Sequence, residues 1–368
     1  GRIAPEHHFS PKQHLIIDRH SVHGSVALRL IRTPLAGFCL VVVTVGGSTN
    51  SAPTLEICRT LAARGHVIEF TTLEGRADLF AAYPFVSTVH LVGRAVTPSE
   101  DRQLYKFSRW DNKTQRGRNK MIECKRFYDD QTYLVRYAPQ LLHLFLWTRS
   151  MRKQAGVHSM PSLKPKPDSL VLINSFWGLE PAKDVPPLLQ PVGPLLSDSY
   201  TPLDDTTHNF LNTKTSVVYV TFGTHVILTP EKVDRLMRGL CCALEQGSID
   251  GIIWALRGPT RSKDQYTVRH LLANQHPSWL ILEYAPQRAV LDHPYITLFV
   301  THAGPSSANE ALFHGVPMVS MPFYGDQIQH NLRLVAAGVA QGVDKDTFTP
   351  AQLASTISAM MVDSDGEM

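Results

Sequence analysis

Cysteine is scarce in this 368-residue chain: five residues, Cys39, Cys58, Cys124, Cys241 and Cys242, an odd number with no C-x-x-C spacing. That pattern points away from a disulfide framework and from a thiolate zinc site. A strong charge of either sign is missing too. Thirty-six Lys and Arg stand against 32 Asp and Glu, a net charge of +4 that is scattered along the chain. No basic stripe forms, so a nucleic-acid partner has no support. Long apolar runs are also lacking. The longest, Leu35–Val45 and Leu141–Trp147, fall short of the roughly 20 residues that cross a bilayer, which leaves peripheral membrane contact but no span. The first reads as a buried strand in preference to the core of a signal peptide. One N-x-T triplet, Asn112-Lys113-Thr114, does not fix a compartment. A cytoplasmic chain is expected, with association to the endoplasmic reticulum as the alternative.

What is present is enough apolar material for packed cores. Hydrophobic residues make up 43% and charged residues 18%, the composition of a globular protein, and the length suits two α/β domains. Residues 1–34, rich in His and Arg without periodicity, read as an extension outside the core. Residues 35–195 read as a first domain, 196–215 as a linker and 216–368 as a second domain. Leu40–Val45 is a β-branched run of the kind buried on both faces of a parallel sheet. A helix is expected after it, with Leu55, Cys58, Leu61 and Ala62 on one face and Gly65 as its C-cap. Val67–Thr72 is the next strand. Beyond Gly93 the pattern turns helical, with Leu134, Ala138, Leu141, Leu142 and Phe145 in one apolar stripe expected to pack in a core, and Pro139 marking a kink or a start. Leu170–Ile173 reads as a strand, and Pro186–Pro194 leads toward the linker. In the second domain the spacing predicts strands at Val217–Thr221, Gly251–Leu256, Leu280–Leu282, Leu298–Thr301 and Met318–Met321, and helices at Pro230–Glu245 and Ser307–Phe313.

Three strand-end loops carry candidate chemistry. Thr221-Phe-Gly-Thr224 offers close backbone approach at Gly223 and a hydroxyl at Thr224, although a glycine there is by itself only a turn. Glu283-Tyr-Ala-Pro-Gln287 presents an aromatic ring, backbone groups and an amide. Thr301-His-Ala-Gly-Pro-Ser-Ser307 runs into a helix, where unsatisfied N–H groups and the helix dipole favour an anion. Glu310, three residues after Ser307, also fits a capping box with it. Taken without the other loops, His302 reads better as a satisfied strand-end histidine.

The run YAPQRAVLDHPYITLFVTHAGPSSANEALFHGVPMVSMPFYGDQ, Tyr284 to Gln327, closely resembles the C-terminal signature of the family 1 UDP-glycosyltransferases, of a fungal type. Val217–Thr224 and Pro191-Val-Gly-Pro-Leu195 resemble further landmarks, so the likeness covers most of the chain from Leu40. It implies a GT-B fold: two facing, doubly wound, Rossmann-like α/β domains with the ligand cleft between them. By the resemblance, Tyr284 would stack on uracil and Ala285 would read its edge, while Gln287 and Glu310 would bond the ribose hydroxyls. Gly223, Thr224, His302, Gly304, Ser306 and Ser307 would hold the diphosphate, and Asp326 and Gln327 the sugar. UDP-glucose is the expected donor and a small hydroxylated, lipophilic molecule the expected acceptor, joined with inversion. No tightly bound cofactor and no Asp-x-Asp metal site are expected.

The pattern breaks in the first domain. The family's inverting mechanism uses a general base, normally a His shortly after the first strand, to take the acceptor's proton. In the matching loop Gly46–Pro53 that position is Asn50, which is no base at neutral pH. His66 lies too far along, and no partner Asp stands out. The chain also ends at Met368, before the family's final helix would cross back. A partner or regulatory subunit that binds UDP-sugar without transferring it is therefore the alternative reading, and a sugar-nucleotide hydrolase or epimerase a weaker third.

Overall fold

The computed structural model describes residues 27–31, 38–42, 48–91, 170–181, 184–224, 228–256 and 274–362, with isolated positions at 93–95, 97, 139, 142–143, 145–146, 149–150, 226 and 271. The chain divides into two compact units, Gly1–Tyr105 with Asp168–Met368, and Lys106–Pro167. In the second unit the described Leu142 and Phe145 are helical but 58% and 39% exposed. The expected core stripe is thus not buried at these two positions; a unit of this size has little interior to offer. Leu134, Ala138 and Leu141 lie outside the described residues.

The first sheet has four strands in the order β1 (Ala27–Ile31), β2 (Phe38–Val42), β3 (Val67–Thr72) and β4 (Val86–Leu91). β2, β3 and β4 run parallel and β1 pairs antiparallel to β2. The segment read as an extension therefore contributes an edge strand. Helix α1 (Ser48–Ala63) connects β2 to β3. Its Leu55 and Cys58 bury fully against Val41, Ile68 and Phe70, and Gly65 follows at φ +85°. Only part of the Leu40–Val45 run is described, and it is strand to Val42.

A two-stranded parallel ribbon, β5 (Val171–Ile173) and β6 (Leu189–Pro191), comes next. The expected bare linker holds a helix, α2 (Asp205–Leu211), capped by Asp204, whose carboxylate accepts the Thr207 N–H at 2.7 Å. Leu211 is fully buried, anchoring it to the core that follows.

That core belongs to a six-stranded parallel sheet, ordered β9 (Trp279–Leu282), β8 (Gly251–Ala255), β7 (Val217–Thr221), β10 (Ile296–Thr301), β11 (Met318–Ser320), β12 (Ala340–Gly342). Every residue of β7 is buried, because helices cover both faces. Val218 and Val220 point to one cluster with Trp254, Leu236, Leu240 and Phe348. Val217 and Tyr219 point to the other, with Ile253, Phe299 and Leu291. Each such Val or Leu contributes about 1.5–3 kcal/mol. The intervening helices are α3 (Pro230–Glu245), α4 (Gln287–Leu291), α5 (Pro305–Phe313), α6 (Asp326–Ala336) and α7 (Pro350–Val362). Among the described residues no helix is long and apolar enough to cross a membrane.

Candidate functional site

The order of the second sheet reverses between β7 and β10, which lie side by side with Thr221 opposite Thr301. In an open parallel sheet that reversal opens a crevice at the carboxyl ends of the strands. The loops leaving β7 and β10 are the ones singled out in the sequence, and the fold makes them neighbours.

His302 shows how tightly they are set together. Its imidazole lies between two glycines: a Cβ placed on Gly223 would meet His302 Cε1 at 2.7 Å and Nε2 at 2.9 Å, and one on Gly304 would also collide with the ring. Gly223 sits at φ +70°, and the non-glycine Ala303, fully buried, at φ +61°. Backbone held in such rare conformations needs support from its surroundings and clusters at binding sites. The next helix, α5, begins with Pro305 at its first turn and has Gly304 as N-cap, with no side-chain cap. Its first-turn N–H groups, those of Ser306 and Ser307 among them, have no acceptor within the helix. Oriented N–H groups, positive helix end and imidazole together suit a diphosphate.

Next to it stands a carboxylate–amide pair. Gln287, first residue of α4, sends its Nε2–H to Glu310 Oε2 at 2.6 Å and to Ser307 Oγ at 3.2 Å. Burial pushes the Glu310 carboxyl above its ordinary range, opposed by the Gln287 hydrogen bond and the Arg288 charge. The capping box expected between Ser307 and Glu310 does not form. Ser307 is the third residue of the helix and not its cap, and Glu310 turns to α4 instead. Tyr284, in the loop before α4, is 75% exposed, whereas Ala285 beside it is buried. An exposed ring with a buried neighbour is the form of a stacking platform.

Asp326 is the first residue of α6, after Gly325 at φ +62°. The Gln327 amide oxygen accepts the Phe323 and Tyr324 N–H groups at 2.9 and 3.2 Å, so one end of this side chain holds its own loop. Thr224 is exposed on the β7 loop. Gly223, Thr224, Tyr284, Ala285, Gln287, His302, Gly304, Ser306, Ser307, Glu310, Asp326 and Gln327 thus all lie in loops or first helical turns at the carboxyl ends of β7, β9, β10 and β11, or, for Glu310, one turn further along α5.

A cluster that no spacing announced lies behind the Gln287–Glu310 pair. Arg288 stacks over Tyr200 at 4.5 Å and Phe313 at 5.1 Å and donates to the Ser197 carbonyl. Tyr200 donates to Asp292 at 2.6 Å, and His314 Nδ1 meets the same carboxylate at 3.0 Å. These groups line a cavity of about 400 Å³. Segment 197–200 thereby holds both ends of α4, at Arg288 and Asp292, and the carboxyl end of α5, at His314, the two helices that carry Gln287 and Glu310.

The first sheet offers less. Asn50 lies in the first turn of α1. His66 follows the other end of that helix, about 20 Å away at 1.5 Å per residue. His90 meets Glu69 at 2.5 Å, but alternation along the strands places both opposite the face that packs on α1. Two Asp-x-Asp triplets do occur, Asp344-Lys-Asp346 and Asp363-Ser-Asp365. The second lies outside the described residues. In the first, Asp344 accepts the N–H groups of Asp346 and Thr347, while Asp346 pairs with Lys232 at 3.0 Å.

Known proteins are similar to this chain in sequence and in fold. The family model described as UDP-glucoronosyl and UDP-glucosyl transferase matches residues 157–366. UDP-glycosyltransferase FPY2 of Fusarium mangiferae is 38% identical over 418 residues, covering 88% of this chain and 76% of that one. A UDP-glycosyltransferase of Talaromyces amestolkiae is 36% identical over 426, covering 89% and 80%. Both alignments are longer than the 368-residue chain, so each relative carries residues within the aligned span that are absent here. Among solved structures, the glycotransferase of kitacinnamycin superimposes with a TM-score of 0.61 at 19% identity, covering 91% and 92% of the two chains. LpCGTa in complex with UDP gives 0.54 at 19%, covering 90% of each. The fold is GT-B, α/β with Rossmann-like sheets.

Proposed function

The chain belongs to the UDP-glucoronosyl and UDP-glucosyl transferase family, a family of UDP-sugar-dependent glycosyl transfer, and on that premise we propose that it moves glucose from UDP-glucose to a hydroxyl of a small, lipophilic acceptor with inversion. The observation that carries this reading is the Gln287–Glu310 pair standing beside the uncapped start of α5. A carboxylate facing vicinal ribose hydroxyls makes charge-assisted bonds that a deoxyribose cannot return. With the ribose held there, Tyr284 lies under the uracil, and the diphosphate meets His302 and the first turn of α5. The diphosphate is also the leaving group, so donors aimed at it stabilise the charge that grows as the glycosidic bond breaks. Asp326 and the free amide end of Gln327 take the sugar hydroxyls. Residues 35–195 form the acceptor half.

Asn50 supports a second reading. An amide cannot take the acceptor's proton, and with no base from this chain the same site binds UDP-sugar without transferring it, as a partner or regulatory subunit would. Both readings require the nucleotide site, so it is tested first. Calorimetric titration should detect UDP and UDP-glucose with the wild type, and the double variant Glu310→Ala, His302→Ala should lose at least about 100-fold in affinity, or about 2.8 kcal/mol. A folded wild type that ignores both ligands would reduce the signature to scaffold and end both readings.

A further inference from the structure

The loop Met321–Gly325, which leads into the proposed sugar ligands Asp326 and Gln327, is held from underneath by a buried cation. Lys345, between β12 and α7, is only 5% exposed. Its Nζ donates to the Phe323 carbonyl at 2.7 Å and lies 5.5 Å from the centroid of the Phe323 ring. A second lysine, Lys232 of α3, approaches the same ring at 5.6 Å while paired with Asp346. The N–H of Phe323 is taken by Gln327 Oε1, as is that of Tyr324. Both polar ends of Phe323 are thereby fixed, its N–H by a sugar-site side chain and its C=O by Lys345. The ring also packs edge-on against Phe222 at 5.6 Å, the residue before Gly223. One side chain ties the sugar loop to the diphosphate loop.

Placing an ammonium there is expensive. Burial drives the Lys345 pKa down and the Lys232 charge adds to that, with Asp346 and Asp344 opposing. An apolar residue would fill the space without that desolvation, so the position calls for a reason beyond packing. We propose that Lys345 is a positioning residue for the sugar half of the donor: by holding the Phe323 carbonyl it fixes the turn from which Asp326 and Gln327 reach the hexose. This deepens the UDP-sugar reading of the same site and rests on it. The hydrogen bond and the ring contact of Lys345 both fall on Phe323, on the sugar side of the site, so the two halves of the donor should respond differently to its loss.

The test is calorimetric titration of the full chain with two probes, UDP and UDP-glucose. Lys345→Met is expected to weaken UDP-glucose about tenfold while UDP stays within about twofold, the size of one lost hydrogen bond to a charged group. Lys345→Gln keeps an N–H donor and should recover most of that loss. Equal weakening of both ligands, or a lowered Tm with neither affinity changed, would mean a purely structural lysine and would overturn the proposal. A wild type that binds neither probe would instead overturn the UDP-sugar reading beneath it. Because Lys345→Met can fail to fold, amide hydrogen exchange on the wild type gives a separate arm. The Phe323 and Tyr324 amides should gain more protection with UDP-glucose than with UDP, and identical protection by the two would count against Lys345.

Discussion

The two sheets of this chain are built on the same β-α-β logic, yet they carry their chemistry differently. In the second, four strand ends carry the candidate groups and several of these are in contact, His302 wedged by Gly223 and Gly304 and Gln287 joined to Glu310 and Ser307, while Gln327 closes its own loop. In the first sheet the sequence singles out one position as a candidate for catalysis, Asn50, in the first turn of α1. The relatives align over 88 and 89% of the chain, across both sheets. The family match starts at residue 157, beyond the first sheet, and the aligned relatives are longer than this chain within the shared span. A donor site whose parts contact one another resists piecemeal change, since altering one group unseats the next; a half that depends on one base can lose it in one substitution.

Restoring that base tests the contrast most severely. Asn50→His is expected to raise transfer from UDP-glucose to a hydroxylated aromatic acceptor by about 10²-fold, the scale on which a positioned general base acts, read as glycoside formed by mass spectrometry. No gain would break the alignment of Asn50 with the missing base and with it the idea that one residue separates the halves. A smaller effect sharpens the other side. Gly223→Ala puts a methyl group against the His302 ring, so UDP affinity should fall about tenfold, or about 1.4 kcal/mol. The control is Gly247→Ala, at φ +72° with nothing near its Cβ. Both variants bear the strain of an L-residue at positive φ, about 1–3 kcal/mol of stability, but only Gly223→Ala should lose ligand. Equal loss of UDP by both would show that the wedge plays no part in binding.

How far the sequence alone leads depends on the range of the forces that set each element. Helix α3 is legible to the residue because its signals are local: Thr229 caps it, Pro230 occupies its first turn, and its apolar face repeats over sixteen residues. β3 is equally plain. The five-residue α4 and three-residue β12 are too short for any period to register, and β1 is a strand because β2 pairs with it. Fixed spacing made the family signature readable, from Tyr284 through Gln327, since each strand end lies a set number of residues from the next. The grip of Ser197 and Tyr200 on α4 and α5, and that of Lys345 on Phe323, leave no such trace. Each depends on single residues brought together from 22 to 92 positions away, and nothing periodic marks them.

The smallest expected effect concerns the proton on Glu310. Its pKa is raised, first by burial, so the folded chain favours the neutral acid more than the unfolded chain does. The sign for stability follows: the contribution of this group is fully present below the unfolded carboxylate pKa and is lost as pH rises through the folded one. For ribose binding the sign is opposite, because the ionised carboxylate is the stronger acceptor. UDP-glucose is the ligand to use, since its diphosphate, esterified at both ends, has no ionisation near neutrality. Its affinity at Glu310 should weaken by a few-fold on acidification from neutral pH toward the ordinary carboxylate range. Glu310→Gln isolates this contribution by removing the carboxylate's titration while keeping the side chain's size. The wild type should therefore lose affinity relative to the variant as the pH falls. Parallel pH profiles for the two chains would mean that Glu310 stays ionised throughout, and that the ribose pocket is better hydrated than its burial implies.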